Sequence, residues 1–168
     1  MTQIPDEGLD LAVHEPITLG KAAGVEHGQC PVDARLFLAK TGIGVAVRGR
    51  FHSTVQLTCG RCLELFVLNL AEEFEVHYVR DAETGAAGEH ELSPGDLDVL
   101  PLREDRIDVT TLLRESILLG LPQQPVCRET CRGLCPRCGQ SLNLGPCACA
   151  PLAGDPRWQA LAKLRGPR

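Results

Sequence analysis

At 168 residues, 43% hydrophobic and 23% charged, the chain can bury a sizeable core and has an ordinary globular composition. No apolar run reaches the roughly 18 residues of a membrane helix. The acidic start MTQIPDEGLD lacks a basic, apolar leader, so no signal peptide is expected and a cytoplasmic location follows. The net charge of −5 is unevenly spread: residues 1–126 carry 10 basic against 20 acidic side chains, and residues 127–168 carry 7 against 2. An acidic body with a mildly basic tail argues against a general RNA binder and for basic protein partners.

Taken in order, Leu9, Leu11 and Val13 alternate and predict one short strand. Cys30, beside Pro31 and far from other cysteines, reads as an ordinary free thiol. Val32, Ala34, Leu36 and Leu38 alternate up to a Lys40-Thr41-Gly42 turn. Ile43, Val45, Val47, Gly49, Phe51, Ser53, Val55 and Leu57 then keep one face in phase, a length that predicts bending or a bulge near Gly49. The pattern breaks at Cys59-Gly60-Arg61-Cys62 and resumes with Phe66, Leu68, Leu70, Phe74, Val76 and Tyr78. The first cysteine pair is therefore expected at the tip of a β-hairpin. A thioredoxin-like redox motif would instead open a helix.

Residues 81–96 are acidic, rich in Gly and Ala and without periodicity, which predicts an exposed loop. A short strand is expected around Leu97–Leu102. Asp108 or Thr110 then caps a helix carrying Leu112, Leu113, Ile117 and Leu118, stopped by Gly120 and Pro122 and placed over the sheet. At the far end, Asp155-Pro156-Arg157-Trp158 reads as the start of a short terminal helix that docks its Trp.

The densest chemistry is CRETCRGLCPRCGQSLNLGPCAC, residues 127–149, with six of the nine cysteines. Reduced, clustered thiols favour metal over disulfides. Four pairs, 59/62, 127/131, 135/138 and 147/149, divide into two four-cysteine zinc sites in three ways. The favoured division joins Cys59, Cys62, Cys127 and Cys131, and separately Cys135, Cys138, Cys147 and Cys149, the second closing a small zinc ribbon whose Gly139 turns a backbone N–H towards a ligand sulfur. Cys147-x-Cys149 is the awkward spacing, since alternate residues of an extended chain face opposite ways. One zinc with some pairs left as free thiols is the alternative. His14, His27, His52, His77 and His90 are scattered among polar positions and are not expected as ligands. Tetrathiolate sites leave no place for water or substrate, and no phosphate loop, nucleophile elbow or carboxylate pair stands out, so no enzyme is expected.

The expected fold is α+β: a curved antiparallel β-meander covered by a helix in residues 1–126, then a cysteine-rich, zinc ribbon-like appendage with a short terminal helix in residues 127–168. Several motifs occur together: Cys59-Gly-Arg-Cys62-Leu63; Leu121-Pro122-x2-Pro125-x-Cys127-x3-Cys131-x-Gly133-Leu134-Cys135-Pro136-x-Cys138-Gly139-x2-Leu142-Asn143; Cys147-x-Cys149; and Asp155-Pro156-Arg157-Trp158-x2-Leu161. Over residues 45–165 this set resembles the YceD family of large ribosomal RNA subunit accumulation proteins. The resemblance implies a cytoplasmic, non-enzymatic factor supporting synthesis, processing or stability of the large-subunit (23S) ribosomal RNA. Contact with large-subunit ribosomal proteins or a pre-ribosomal particle is the first mechanism. Direct RNA binding through Arg128, Arg132, Arg137, Arg157 and Lys163 is the second, although the only Trp and Tyr lie outside the ribbon and leave few stacking candidates. A thiol redox sensor is the third.

Overall fold

The computed structural model describes residues 3–20, 25, 28–80, 99–102, 105–150 and 157. The acidic stretch 81–96, Lys163 and the terminal helix with Trp158 lie outside them. Five strands form one sheet in sequential order: β1 (Leu9–Thr18), β2 (Gln29–Lys40), β3 (Gly44–Thr58), β4 (Leu65–Arg80) and β5 (Val99–Leu102). One helix, α1 (Val109–Gly120), follows. β1 to β4 pair antiparallel, whereas β5 runs parallel to β4 and pairs with His77–Arg80 alone. The sheet is thus mostly, not wholly, antiparallel. Residues 81–98 supply the long connection that a parallel return requires, whereas a two-residue turn can join only antiparallel strands.

Strict alternation gives the sheet one buried face. Register stacks Val13, Ala34, Phe51 and Glu72 in one row, and Leu9, Leu38, Val47 and Val76 in another. Ile17, Val32, Leu36, Val55 and Leu57 join the same cluster, and α1 adds Leu112, Leu113 and Ile117. Each large apolar side chain buried there contributes about 1.5–3 kcal/mol. Ser53 is the buried polar exception and is satisfied by donating its hydroxyl to the Pro31 carbonyl at 2.9 Å. Cys30 is buried and directs its thiol at the Ile17 carbonyl, 3.6 Å away.

Two expectations are corrected. β1 is a ten-residue strand rather than a short one, because polar residues on its outer face follow the same period beyond Val13. No bulge interrupts β3 at Gly49, which keeps register with Leu36 and Phe74. The glycine serves a close approach: a Cβ there would sit 2.5 Å from the Phe74 ring, which itself lies 6.2 Å from the Phe51 ring.

α1 begins at Asp108, whose carboxylate accepts the Thr111 N–H at 3.0 Å and the Thr111 hydroxyl at 2.8 Å. These bonds hold the carboxyl below the usual aspartate range. After α1 the chain extends through Leu121 back to the β3–β4 hairpin tip, where the Gly60 N–H donates to the Pro125 carbonyl at 2.8 Å.

Candidate metal centre

The hairpin tip between β3 and β4 is a tight knuckle. The Cys59 N–H donates to the Glu64 carbonyl at 2.9 Å, and the Leu63 N–H returns to the Cys59 carbonyl at 2.9 Å. The Arg61 N–H points at the Cys59 sulfur, 3.4 Å away. The same hydrogen-bond pattern recurs further along. Cys135 N–H donates to the Gln140 carbonyl at 2.8 Å, Gly139 N–H to the Cys135 carbonyl at 2.9 Å, and Arg137 N–H to the Cys135 sulfur at 3.4 Å. Arg137, not Gly139, therefore supplies this N–H contact to sulfur. Glycine's part is the positive φ of 72°, matched by 61° at Leu63 in the first knuckle.

These two knuckles anchor two cysteine groups. Cys59, Cys62, Cys127 and Cys131 come together in one, and Cys135, Cys138, Cys147 and Cys149 in the other, with the sulfurs of each within 4.8 Å of one another. Cys59 and Cys131 sulfurs lie 3.9 Å apart, and Cys62 and Cys127 sulfurs 3.8 Å. Bonded disulfide sulfurs would be about 2.05 Å apart. Four sulfurs at a Zn–S length of about 2.3 Å form a tetrahedron with edges of about 3.8 Å, so the donor set and its spacing fit such an ion. Cys147 and Cys149 both join the second group, with a bend at Ala148 between them. Neither group includes a histidine; His27 and His90 lie outside the described residues.

The electrostatics of the sulfurs are uneven. Burial pushes the Cys59 thiol up, but backbone N–H groups of Cys62, Cys127 and Arg61 outweigh it and bring it down to about 6. Backbone N–H groups of Cys138 and Arg137 lower Cys135 to about 6. Their neighbours resist ionisation. Cys62 accepts from the Glu64 backbone, yet burial and the adjacent sulfurs push it up to about 12. The Cys138 sulfur, with burial, raises Cys149 to about 12. Cys59 and Cys131 in the first group and Cys135 in the second are thus held low, whereas Cys62, Cys127 and Cys149 resist ionisation, and a cation would offset the clustered negative charge.

Two residues that the sequence reading passed over hold the first group together. The Arg61 guanidinium donates to the carbonyls of Glu129 at 3.1 Å and Cys131 at 3.0 Å, tying the knuckle to the later cysteines. The Asn143 amide donates to the Cys131 sulfur at 3.4 Å, lowering that thiol's pKa, while its oxygen accepts the Arg132 N–H at 2.9 Å. Asn143 thus reaches from the loop of the second group to a sulfur of the first. Gly133 lets its loop close on the hairpin tip: its φ is +73°, and a Cβ would lie 2.9 Å from the Arg61 carbonyl oxygen. The Leu134 N–H then donates to that same oxygen at 3.2 Å. Both Arg61 and Asn143 occur in the quoted motifs, and their positions beside Cys62 and within the ribbon loop were the available signal. Arg128, Arg132 and Arg137, which neighbour the cysteines in sequence, are exposed, and Arg157 is exposed as well.

The comparisons with known proteins agree with these motifs. The family model described as "Large ribosomal RNA subunit accumulation protein YceD" matches residues 47–165. Proteins of Mycobacterium tuberculosis and Mycobacterium bovis, both described as uncharacterized, are 29% identical over 157 residues, which is 92% of this chain and 72% of theirs. A chloroplastic large ribosomal RNA subunit accumulation protein YCED homolog of Zea mays is 28% identical over 141 residues, 70% of this chain and 47% of that longer protein. No solved structure shows significant similarity to the chain.

Proposed function

The chain belongs to the YceD family of large ribosomal RNA subunit accumulation proteins, and from that premise we propose that it is a non-enzymatic zinc-binding factor supporting large-subunit (23S) ribosomal RNA. The observation that carries the reading is the pair of four-cysteine groups. Zinc suits them because thiolates are soft ligands and the d10 ion, with no d-electron preference of its own, takes four of them as a tetrahedron. A closed tetrathiolate has no position for water or substrate, so the ions fold and pin the chain rather than catalyse. Residues 1–126 act as the body and 127–168 as the zinc module, joined through the first group. Thiolate ligands must stay reduced, so the protein acts in the cytoplasm.

The body, with 10 basic against 20 acidic residues, meets its target through protein contact, engaging basic large-subunit proteins or a pre-ribosomal particle. Gradient fractionation of cell extract tests this reading: the protein co-migrates with large-subunit precursors. Migration solely in the soluble fractions overturns it. Native mass spectrometry with elemental analysis tests the cofactor, with two zinc ions per chain expected.

The exposure of Arg128, Arg132 and Arg137 beside the cysteine groups favours a second reading, in which the module contacts ribosomal RNA directly with Arg157 and Lys163. RNA affinity falling steeply with salt supports it, and no binding at low salt ends it.

A further inference from the structure

β4 is sixteen residues long, yet β5 pairs only with His77–Arg80. The edge of β4 from Leu65 to Val76 therefore has no strand beside it among the described residues. An open edge presents unpaired N–H and C=O groups, and proteins ordinarily blunt one with charge or proline. The opposite edge, β1, follows that rule with Asp10, His14, Glu15 and Pro16. On β4 the seven residues Leu65–Ala71 carry neither a charge nor a proline.

That stretch is also openly apolar. Leu65 and Val67, on the outer face, are 53% and 58% exposed. Leu63, at the adjoining tip, is 64% exposed and held at φ 61°. Acidic groups lie at both ends: Glu64 before the stretch, Glu72 and Glu73 after it. Glu72 and Glu73 have no ion-pair partner among the described residues.

We infer that the β4 edge from Leu65 to Glu73 is a docking site for an extended, basic segment of a partner protein, which adds to the sheet as a strand. Main-chain hydrogen bonds supply affinity in this mode, and alternate side chains supply specificity. Apolar residues of the incoming strand meet Leu65 and Val67, and Lys or Arg meets Glu64, Glu72 and Glu73. A second copy of this chain is a poor occupant. Laid antiparallel with Leu65 opposite Ala71, it sets Glu64 of each copy against Glu72 of the other. The inference deepens the protein-contact reading above and rests on it for the partner's basic character.

The test uses the full-length, metal-loaded protein and a fluorescein-labelled octapeptide alternating valine and lysine. A matched peptide N-methylated at alternate backbone nitrogens removes the strand-pairing donors. Fluorescence polarisation is expected to show binding of the first peptide and roughly tenfold weaker binding of the second. The exposed double substitutions Leu65→Lys with Val67→Lys, and Glu72→Lys with Glu73→Lys, each weaken binding by a similar factor. Metal content and circular dichroism check their folding, and the N-methylated peptide keeps the test decisive if either variant misfolds. No binding, or binding indifferent to N-methylation, overturns the inference. So does a dimer in sedimentation that Leu65→Lys with Val67→Lys dissociates, or displacement of the peptide by single-stranded RNA. Particle co-migration separates the two readings. Peptide binding at the edge without co-migration removes the ribosomal reading and leaves the docking site. Co-migration undiminished in both variants, with no peptide bound, does the reverse.

Discussion

Leu63 and Gly139 occupy the same place in two like knuckles, each donating its N–H to the carbonyl of the first cysteine at 2.9 Å. Both take positive φ, 61° and 72°, a conformation that costs an L-residue about 1–2 kcal/mol. Glycine loses about 0.5–1 kcal/mol more chain entropy on folding. Leu63→Gly is therefore expected to stabilise the metal-loaded protein by about 0.5–1 kcal/mol in chemical denaturation. A loss of stability instead shows that the leucine side chain holds the tip. Asn143 acts through a neighbour: its amide meets the Cys131 sulfur at 3.4 Å without itself being a ligand. Partners of this kind are worth about 10–100-fold in metal affinity. Asn143→Ala should weaken the first group by that factor against a competing chelator and leave the second group's affinity nearly unchanged. Equal weakening of both groups, or of neither, contradicts this role.

At the scale of elements, α1 depends on its cap. Asp108→Ala removes the acceptor for the Thr111 N–H at 3.0 Å and should cost about 1 kcal/mol near neutral pH. The sign with pH follows from the lowered carboxyl: its contribution is fully present above the unfolded value of about 3.9 and is lost as pH falls through the folded value below it. The stability gap between wild type and Asp108→Asn, which keeps an acceptor but not the charge, should therefore close with acid in denaturant titrations. A gap independent of pH removes the charge from the explanation. This cap, the alternation in β2 to β4 and the knuckle at the hairpin tip were all legible in the sequence, because local periodicity and capping chemistry write them there. The role of Gly49 was not, since it depends on Phe74 arriving from the next strand. Nor was the parallel β5, whose direction is set by the return of the chain after Arg80 and not by any residue within it. The cysteine pairs limited the metal groups to three divisions, but Arg61 and Asn143 became visible only once residues far apart in sequence were side by side.

The two cysteine groups differ in what they join across the whole molecule. In the first, Cys59 and Cys62 at the hairpin tip meet Cys131 and Cys127, 72 and 65 residues later. An ion there would close a loop that includes β4, β5 and α1, alongside the Gly60–Pro125 and Arg61–Leu134 backbone bonds. The second closes only residues 135–149 and includes the exposed Cys138, whereas Cys59 is fully buried. Chelator should therefore strip the second ion first, giving a one-metal intermediate by native mass spectrometry. Cys135→Ser with Cys138→Ser should resemble that intermediate: one metal, with the module still fastened to the tip. Cys59→Ser with Cys62→Ser should also keep one metal but lose the fastening, so that limited proteolysis cuts between Leu121 and Cys127 and thermal stability falls further. Since a structural zinc site contributes on the order of 10 kcal/mol to folding, most of that difference reflects which parts of the chain each ion holds together. Equal protease resistance in the two variants would mean that the tip and the module adhere without the first ion, leaving it a local brace like the second.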